Sequence, residues 1–203
     1  MTNIGAILLA GGLSSRMGQD KAALTIAGQT LLERLVRIVS PLVNRSVVML
    51  SASQKLPDIA PELLDYFVIG RDSRPEEGPL QGISDALPLF GTEVERLFVL
   101  SCDLPYLNTQ VLDDLRLLLT PAVDGVCAEV GGRVNPLLAV YFRQFLVDAV
   151  QPSAAGRSCM ILVDDHPIAR MQPPDDDLLV FDGINTPDGY AKAKRLLESP
   201  ESP

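Results

Sequence analysis

The chain has 203 residues, is 47% hydrophobic and carries a formal net charge of -9. That length can bury a core without disulfide or metal staples, and the acidic balance excludes a general affinity for the nucleic-acid backbone, which needs a basic excess to displace counterions. Three scattered cysteines without a C-x-x-C pair, and a single histidine, exclude a disulfide framework and a multi-histidine metal centre.

The first element is an apolar run, "IGAILLA" (4–10), predicted to be a strand. It is too short to cross a membrane and no basic region precedes it, so we expect a cytoplasmic protein that engages neither membrane nor nucleic acid. After the glycine-rich stretch 11–18, Leu31, Leu32, Leu35, Val36, Val39 and Leu42 recur at helical spacing, with Glu33, Arg34 and Arg37 on the other side. Four further strands are predicted at "SVVMLSA" (46–52), "YFVIG" (66–70), "RLFVLS" (96–101) and "DGVCAEV" (124–130), with helices at 80–90 and 109–119 between them. Several of these strands lack polar alternation, as strands buried on both faces of a parallel sheet do. The βαβ order predicts an α/β, Rossmann-like, three-layer fold with a mostly parallel central sheet.

Beyond residue 130 the rhythm changes. "GGRVNPLLAVYF" (131–142) reads as a turn into an extended run, followed by helical stretches at 142–151 and 158–164. "PPDDD" (173–177) reads as a solvated loop and "LLVFDGI" (178–184) as a last strand. A final helix spans 186–198, with Thr186 as its N-cap and Pro187 at its first position. We expect a single domain over 1–198 and a frayed tail at 199–203.

The segment "LAGGLSSRMGQDKAAL" (9–24) sits where α/β sheets bind ligands, beyond the carboxyl end of a strand. Gly11 and Gly12 let backbone approach a ligand and expose amides to it. Arg16 offers a planar fork for phosphate and Lys21 a point charge. The Gly12-to-Gly18 spacing is one residue longer than a Walker A loop allows, and G-x-G-x-x-G is absent.

With this motif the chain resembles the molybdenum cofactor guanylyltransferases, within the nucleotidyltransferase superfamily. The resemblance continues in order through "VIGRDSRPEEGPLQGI" (68–83), "VLSCDLPYL" (99–107), "RVNPLLAVY" (133–141) and "INTPDGY" (184–190). It implies a Rossmann-like nucleotidyltransferase fold and transfer of GMP from GTP to molybdenum-bound molybdopterin with release of pyrophosphate. It also implies magnesium as cofactor, molybdoenzyme chaperones as further partners, and a monomer or weak oligomer. Leu9, Ala10, Gly11, Gly12, Arg16 and Lys21 would then surround the nucleotide, with Arg16, Lys21 and Asp103 catalytic, and Asp72 would contact its guanosine part. Where the family often has asparagine, this chain has Ser51. Gly78, Pro79 and Gly82 form a turn whose amides could read guanine, or simply lead into a helix.

Asp103, three residues past "LFVL", stands at a strand exit that suits a magnesium ligand; the plain alternative is a turn aspartate. Asn185 either completes that metal site or makes the turn before Thr186. The family often carries asparagine two residues earlier, where this chain has Gly183. Arg133 and Asn135 fall where the family handles its pterin. Cys102 reads as a packing residue and His166 as a surface histidine. The rival activities are cytidylyl transfer to the same cofactor, sugar-phosphate nucleotidyl transfer, and nucleotide sensing without catalysis. Proteins of the cytidylyl kind, which this chain also resembles, tend to carry Leu-Ala-Ala-Gly at the loop, so by that resemblance Gly11 favours guanine over cytosine.

Overall fold

The computed structural model describes residues 3–11, 18–74, 77–151, 156–173 and 175–199. The elements in chain order are β1 (Ile4–Leu9), a small hairpin of β2 (Thr25–Ile26) and β3 (Gln29–Thr30), α1 (Leu31–Val39), β4 (Arg45–Leu50) and β5 (Phe67–Arg71). There follow α2 (Pro79–Ala86), β6 (Arg96–Ser101), α3 (Thr109–Leu118), β7 (Gly125–Val130), β8 (Arg133–Phe142), α4 (Arg143–Ala149), β9 (Ile168–Met171) and α5 (Pro187–Leu197). A seven-stranded sheet runs in the order β5-β4-β1-β6-β8-β7-β9. Strands β5, β4, β1 and β6 are mutually parallel, and β8 alone is antiparallel to both of its neighbours. The mostly parallel α/β sheet expected from the βαβ rhythm is therefore present.

Strand β1 shows why the pattern gives this sheet. All six of its residues are buried, because successive side chains enter opposite layers. Ala6 and Leu8 pack with Leu32, Leu35 and Val36 of α1 and Leu112 of α3. Ile7 and Leu9 pack with Leu80 and Ile83 of α2 and Leu146 of α4. Helix α1 begins where Thr30 Oγ1 accepts from the Glu33 amide at 3.1 Å, and the expected Thr186 cap accepts from the Gly189 amide at 3.1 Å, with Pro187 next.

Two expectations about the second half are corrected. The run 178–184 is not a strand: Asp175–Phe181 forms a 3-10 helix that also takes in the end of the expected solvated loop. Val180 is buried in the main core while Leu178 and Leu179 are 45% and 41% exposed. A short apolar run without alternation cannot be told from a helical segment by periodicity. The place at the sheet edge goes instead to β9, paired parallel to β7, a four-residue strand with too little pattern to notice.

Strand β8 contains Pro136, which cannot donate to a ladder and in a sheet interior belongs at a bulge. The β7–β8 register shifts there, from Cys127 opposite Ala139 to Ala128 opposite Asn135. Pairing of β8 with β6 extends only from Phe142 to Leu138. Arg133 to Asn135 thus leave β6 near its carboxyl end, and a cleft opens between them.

A third apolar cluster lies beneath this end of the sheet. Leu24, Ile26 and Leu31 pack with Ile184 and Ala193, flanked by Tyr106 and Tyr190. Tyr190 Oη donates to the Thr25 carbonyl at 2.6 Å and the Ala27 amide to Glu198 Oε1 at 2.9 Å. Leu24 is three residues past Lys21 and Ile184 one before Asn185. The cluster therefore joins the two polypeptide segments that the site needs.

Candidate functional site

The strand order reverses between β1 and β6, and their parallel carboxyl ends face the same way. This is a topological switch point, where open α/β sheets bind ligands. The glycine-rich loop leaves β1 there, and Asp103 follows β6 two residues beyond Ser101. Lys21 opens a 3-10 helix (Lys21–Ala23) capped by Asp20, whose Oδ1 accepts from the Ala22 amide at 2.9 Å.

Lys21, Asp103 and Asn185 meet. Lys21 Nζ donates to Asp103 Oδ2 at 3.1 Å and to Asn185 Oδ1 at 2.7 Å. Ser101 Oγ donates to Asp103 Oδ1 at 2.7 Å and fixes the carboxylate from the other side. The Ile184 amide donates to the Asp103 carbonyl at 2.8 Å, which locks the 182–185 crossing onto the β6 exit. Lys21 and Asp103 side chains are each 21% exposed, so the pair is reachable by a ligand.

Asp103 and Asn185 present two hard oxygens that converge on a cation, the lysine ammonium. Such a set fits magnesium, which commonly takes one or two protein oxygens and completes its shell with phosphates and water. Among the described residues no group of three or more acidic, histidine or cysteine side chains is placed to hold a metal, so a metal here would need ligand oxygens. A Cβ built on Gly183 would lie 3.2 Å from Asn185 Nδ2 and 3.5 Å from Asp103 Oδ2. A side chain at 183 would point at this pair, which explains how an asparagine there could join it and why the glycine leaves a two-oxygen arrangement.

Arg133 and Asn135 line one cleft, of about 720 Å³, together with Ser101, Asp103 and Asn185. Asn135 Oδ1 accepts from the Leu137 amide at 3.0 Å. Leu178 and Phe181, from the corrected 3-10 segment, also line it.

The start of the loop is held tightly. A Cβ on Gly11 would come within 2.8 Å of the Ser51 backbone nitrogen and 3.1 Å of Ser51 Oγ. Gly11 is therefore needed for a close approach of backbone to backbone at the β4 exit. Leu9 and Ala10 are buried beneath it. Gly12 and Arg16 lie outside the described residues. At the other turn, Gly78 has a φ of 81° and caps α2 with Pro79 following, a conformation that favours glycine. Gly82 is buried, and a Cβ there would meet Leu9 Cδ2 at 3.2 Å, so this glycine lets α2 lie close to β1.

Asp72 follows β5, and its Oδ1 accepts from the Arg74 amide at 2.9 Å. Burial pushes its carboxyl above the usual range; the charges of Asp85 and Glu77 add to this, while the Arg74 amide opposes it. A carboxyl raised in the fold resists ionisation there. The resulting penalty is absent below the unfolded value, about 3.9, and complete above the folded one. Asp72→Asn should therefore raise Tm at pH 7, and the gain should shrink as pH falls through the carboxylate range and vanish well below the unfolded value, as a thermal scan across pH would show.

Residues that sequence reasoning passed over also matter. Ser101 orients Asp103, and Gln54 and Arg71 organise the β4 exit. Ser101 and Arg71 fall inside motifs noted above without having been singled out, and their signal was position at a strand end; Gln54 falls in no motif and lies four residues past the end of β4. Cys102 is buried, with its thiol pushed up to about 12 chiefly by that burial, which suits packing and not nucleophilic attack. His166 is exposed, as expected of a surface histidine, edge-on to Phe145 at 4.8 Å and 3.9 Å from Asp124.

Known proteins resemble the chain in sequence and in fold. A curated protein from Mycobacterium bovis (strain BCG / Pasteur 1173P2), named probable molybdenum cofactor guanylyltransferase, is 34% identical over 83% of each chain. One of the same name from Carboxydothermus hydrogenoformans is 28% identical, covering 99% of this chain and all of its own. A crystal structure of molybdopterin-guanine dinucleotide biosynthesis protein A from Archaeoglobus fulgidus superposes with a TM-score of 0.74 at 22% identity, covering 96% of this chain and 98% of the other. The model of the MobA-like NTP transferase domain matches residues 6–168. Since that match spans most of the polypeptide, the chain belongs to the MobA-like NTP transferase family.

Proposed function

We propose that the protein transfers GMP from GTP to molybdenum-bound molybdopterin and releases pyrophosphate. The observation that carries this reading is the meeting of Lys21, Asp103 and Asn185, residues 82 and 164 apart, at the switch point. They place a cation and hard oxygen donors beside a glycine-rich loop and at the cleft that Arg133 and Asn135 also line.

In this reading, a terminal phosphate oxygen of the pterin forms a bond to the α-phosphorus of GTP. The bond from that phosphorus to the bridging oxygen breaks, and pyrophosphate leaves with the electron pair. The attacking oxygen is already anionic at neutral pH, so no side chain has to remove a proton. The protein's work is positioning and charge stabilisation. The loop amides, Arg16 and Lys21 hold the triphosphate, with the Lys21 ammonium turning from the two oxygens to phosphate. Ser101 keeps Asp103 aimed. Arg133 and Asn135 receive the acceptor in the shared cleft. Magnesium, held by Asp103 and Asn185, would supply neutralisation of the phosphate charge.

The guanine assignment rests on the curated relatives and on Leu-Ala-Gly-Gly at 9–12. GTP is expected to bind at least ~10-fold tighter than CTP or ATP, a difference of about 1.4 kcal/mol. Titration calorimetry with a nucleotide panel and magnesium, followed by pyrophosphate release with the pterin acceptor, tests both halves. Equal or tighter CTP binding would move the protein to the cytidylyl branch, and no release with the pterin would remove the proposed acceptor.

A further inference from the structure

We propose that Gln54 is a positioning residue that ties Ala10 to Asp20, the residues just before Gly11 and Lys21, and so holds Lys21 in place to receive phosphate. The proposal rests on the nucleotide reading above. Gln54 lies four residues past the end of β4 and is far in sequence from the loop. Its Nε2 donates to the Ala10 carbonyl at 3.0 Å and to Asp20 Oδ2 at 2.9 Å, and its Oε1 accepts from the Ser51 amide at 3.0 Å. Ala10 immediately precedes Gly11, and Asp20 immediately precedes Lys21. One side-chain amide therefore ties the start of the loop to its finish and both to the strand exit against which Gly11 packs.

The chemistry of the three partners permits one kind of side chain. Two are acceptors, a carbonyl and a carboxylate, and one is an amide donor. A primary amide has two N–H donors and one acceptor oxygen in a fixed plane. Reversing it would set its oxygen against two oxygens. Glutamate keeps the length but has no proton for Ala10 or Asp20. Asparagine is one methylene shorter. The glutamine is itself held, since Arg71 Nη1 donates to the Gln54 carbonyl and, at 3.0 Å, to the Ser51 carbonyl. The effect reaches the reacting end through Asp20, whose other oxygen caps the 3-10 helix that carries Lys21. Closing a loop has an entropic cost that a clasp removes before the ligand arrives.

The test is a charge-swap cycle on the full chain. Gln54→Glu should weaken GTP about tenfold, as expected when hydrogen bonds to a charged partner are lost, with guanosine affinity within twofold of wild type. The KM for GTP should rise while kcat at saturating GTP holds. Amide exchange over residues 18–24, measured without nucleotide, should quicken. Adding Asp20→Asn should recover part of the loss, because its Nδ2 can donate to the new carboxylate while its Oδ1 still caps the Ala22 amide, although the Ala10 carbonyl still lacks its donor. Should the glutamate variant not fold, Gln54→Asn gives the same GTP-against-guanosine comparison. GTP binding within twofold of wild type, equal weakening of guanosine, or no recovery in the double variant would overturn the proposal. A wild-type chain that binds no nucleoside triphosphate would overturn the nucleotide reading as well, and that result is visible before any variant is made.

Discussion

Asp103→Ala should abolish most turnover while leaving the fold intact, with a loss on the order of 10²-fold or more. Removing charge stabilisation of a transferring phosphoryl group forfeits several kcal/mol, and each ~1.4 kcal/mol is tenfold in rate. The fold should survive because the carboxylate lies at a strand exit, 21% exposed, and its partners are Lys21 and Ser101 at the site surface. The structural contact of residue 103 is made by its backbone carbonyl, which accepts from Ile184 and is present in any variant. Asp103→Asn should be nearly as damaging, since it preserves shape and removes the charge that a hard cation needs. Binding of GTP without magnesium should be unchanged or tighter, because the mutation frees the Lys21 ammonium and removes a negative charge beside the phosphates. Calorimetry with and without magnesium, beside a pyrophosphate-release assay, separates these effects. Near-normal magnesium-dependent turnover in the alanine variant would reduce Asp103 to a turn residue.

Lys21→Ala should weaken GTP by roughly 10- to 100-fold, the worth of a hydrogen bond from a charged donor at about 1.5–3 kcal/mol, and leave guanosine almost unchanged. In the free protein the ammonium neutralises Asp103 and bonds Asn185. Its loss leaves a carboxylate beside the phosphate site, so repulsion adds to the missing contact. Global stability should fall little, because a partly exposed ion pair contributes little net energy and Leu24, Ile26 and Ile184 still hold the segment. The comparison of triphosphate with nucleoside decides the matter. Equal weakening of both ligands would mean that Lys21 shapes the base site or the local fold.

Much of this architecture was legible in the polypeptide. The unalternated runs at β1, β4 and β6 read as strands covered on both faces, and the 3.6-residue recurrence from Leu31 to Val39 as a helix with one buried side; both are present. Glycines followed by Arg16 and Lys21 after the first strand raised the expectation of an anion site, because exposed amides and two cations suit one, although a polar loop with solvated charges has the same composition. Thr186 and Pro187 announced α5 through local capping chemistry. Each of these signals is local: a few neighbouring residues carry both the cause and its effect.

What only the tertiary structure decided depends on distant residues. Leu178 to Phe181 became a 3-10 segment beside the cleft, because the edge of the sheet was taken by β9 and nothing within an apolar run records which competitor takes that place. The role of Gly11 lies in the nearness of Ser51, forty residues away, and that of Gly183 in the empty direction its missing side chain would have filled. Lys21, Asp103 and Asn185 come from three segments that the sheet order and the Leu24–Ile184 cluster draw to one point. Gln54 belongs to no motif, since its function is to match one acceptor and two donors to partners on three separate stretches of backbone and side chain. Sequence thus determined most of the elements through short-range periodicity, and local charge raised the expectation of an anionic ligand. The fold alone determined which oxygens and cations share a site, because that follows from strand order and packing across more than a hundred residues of chain.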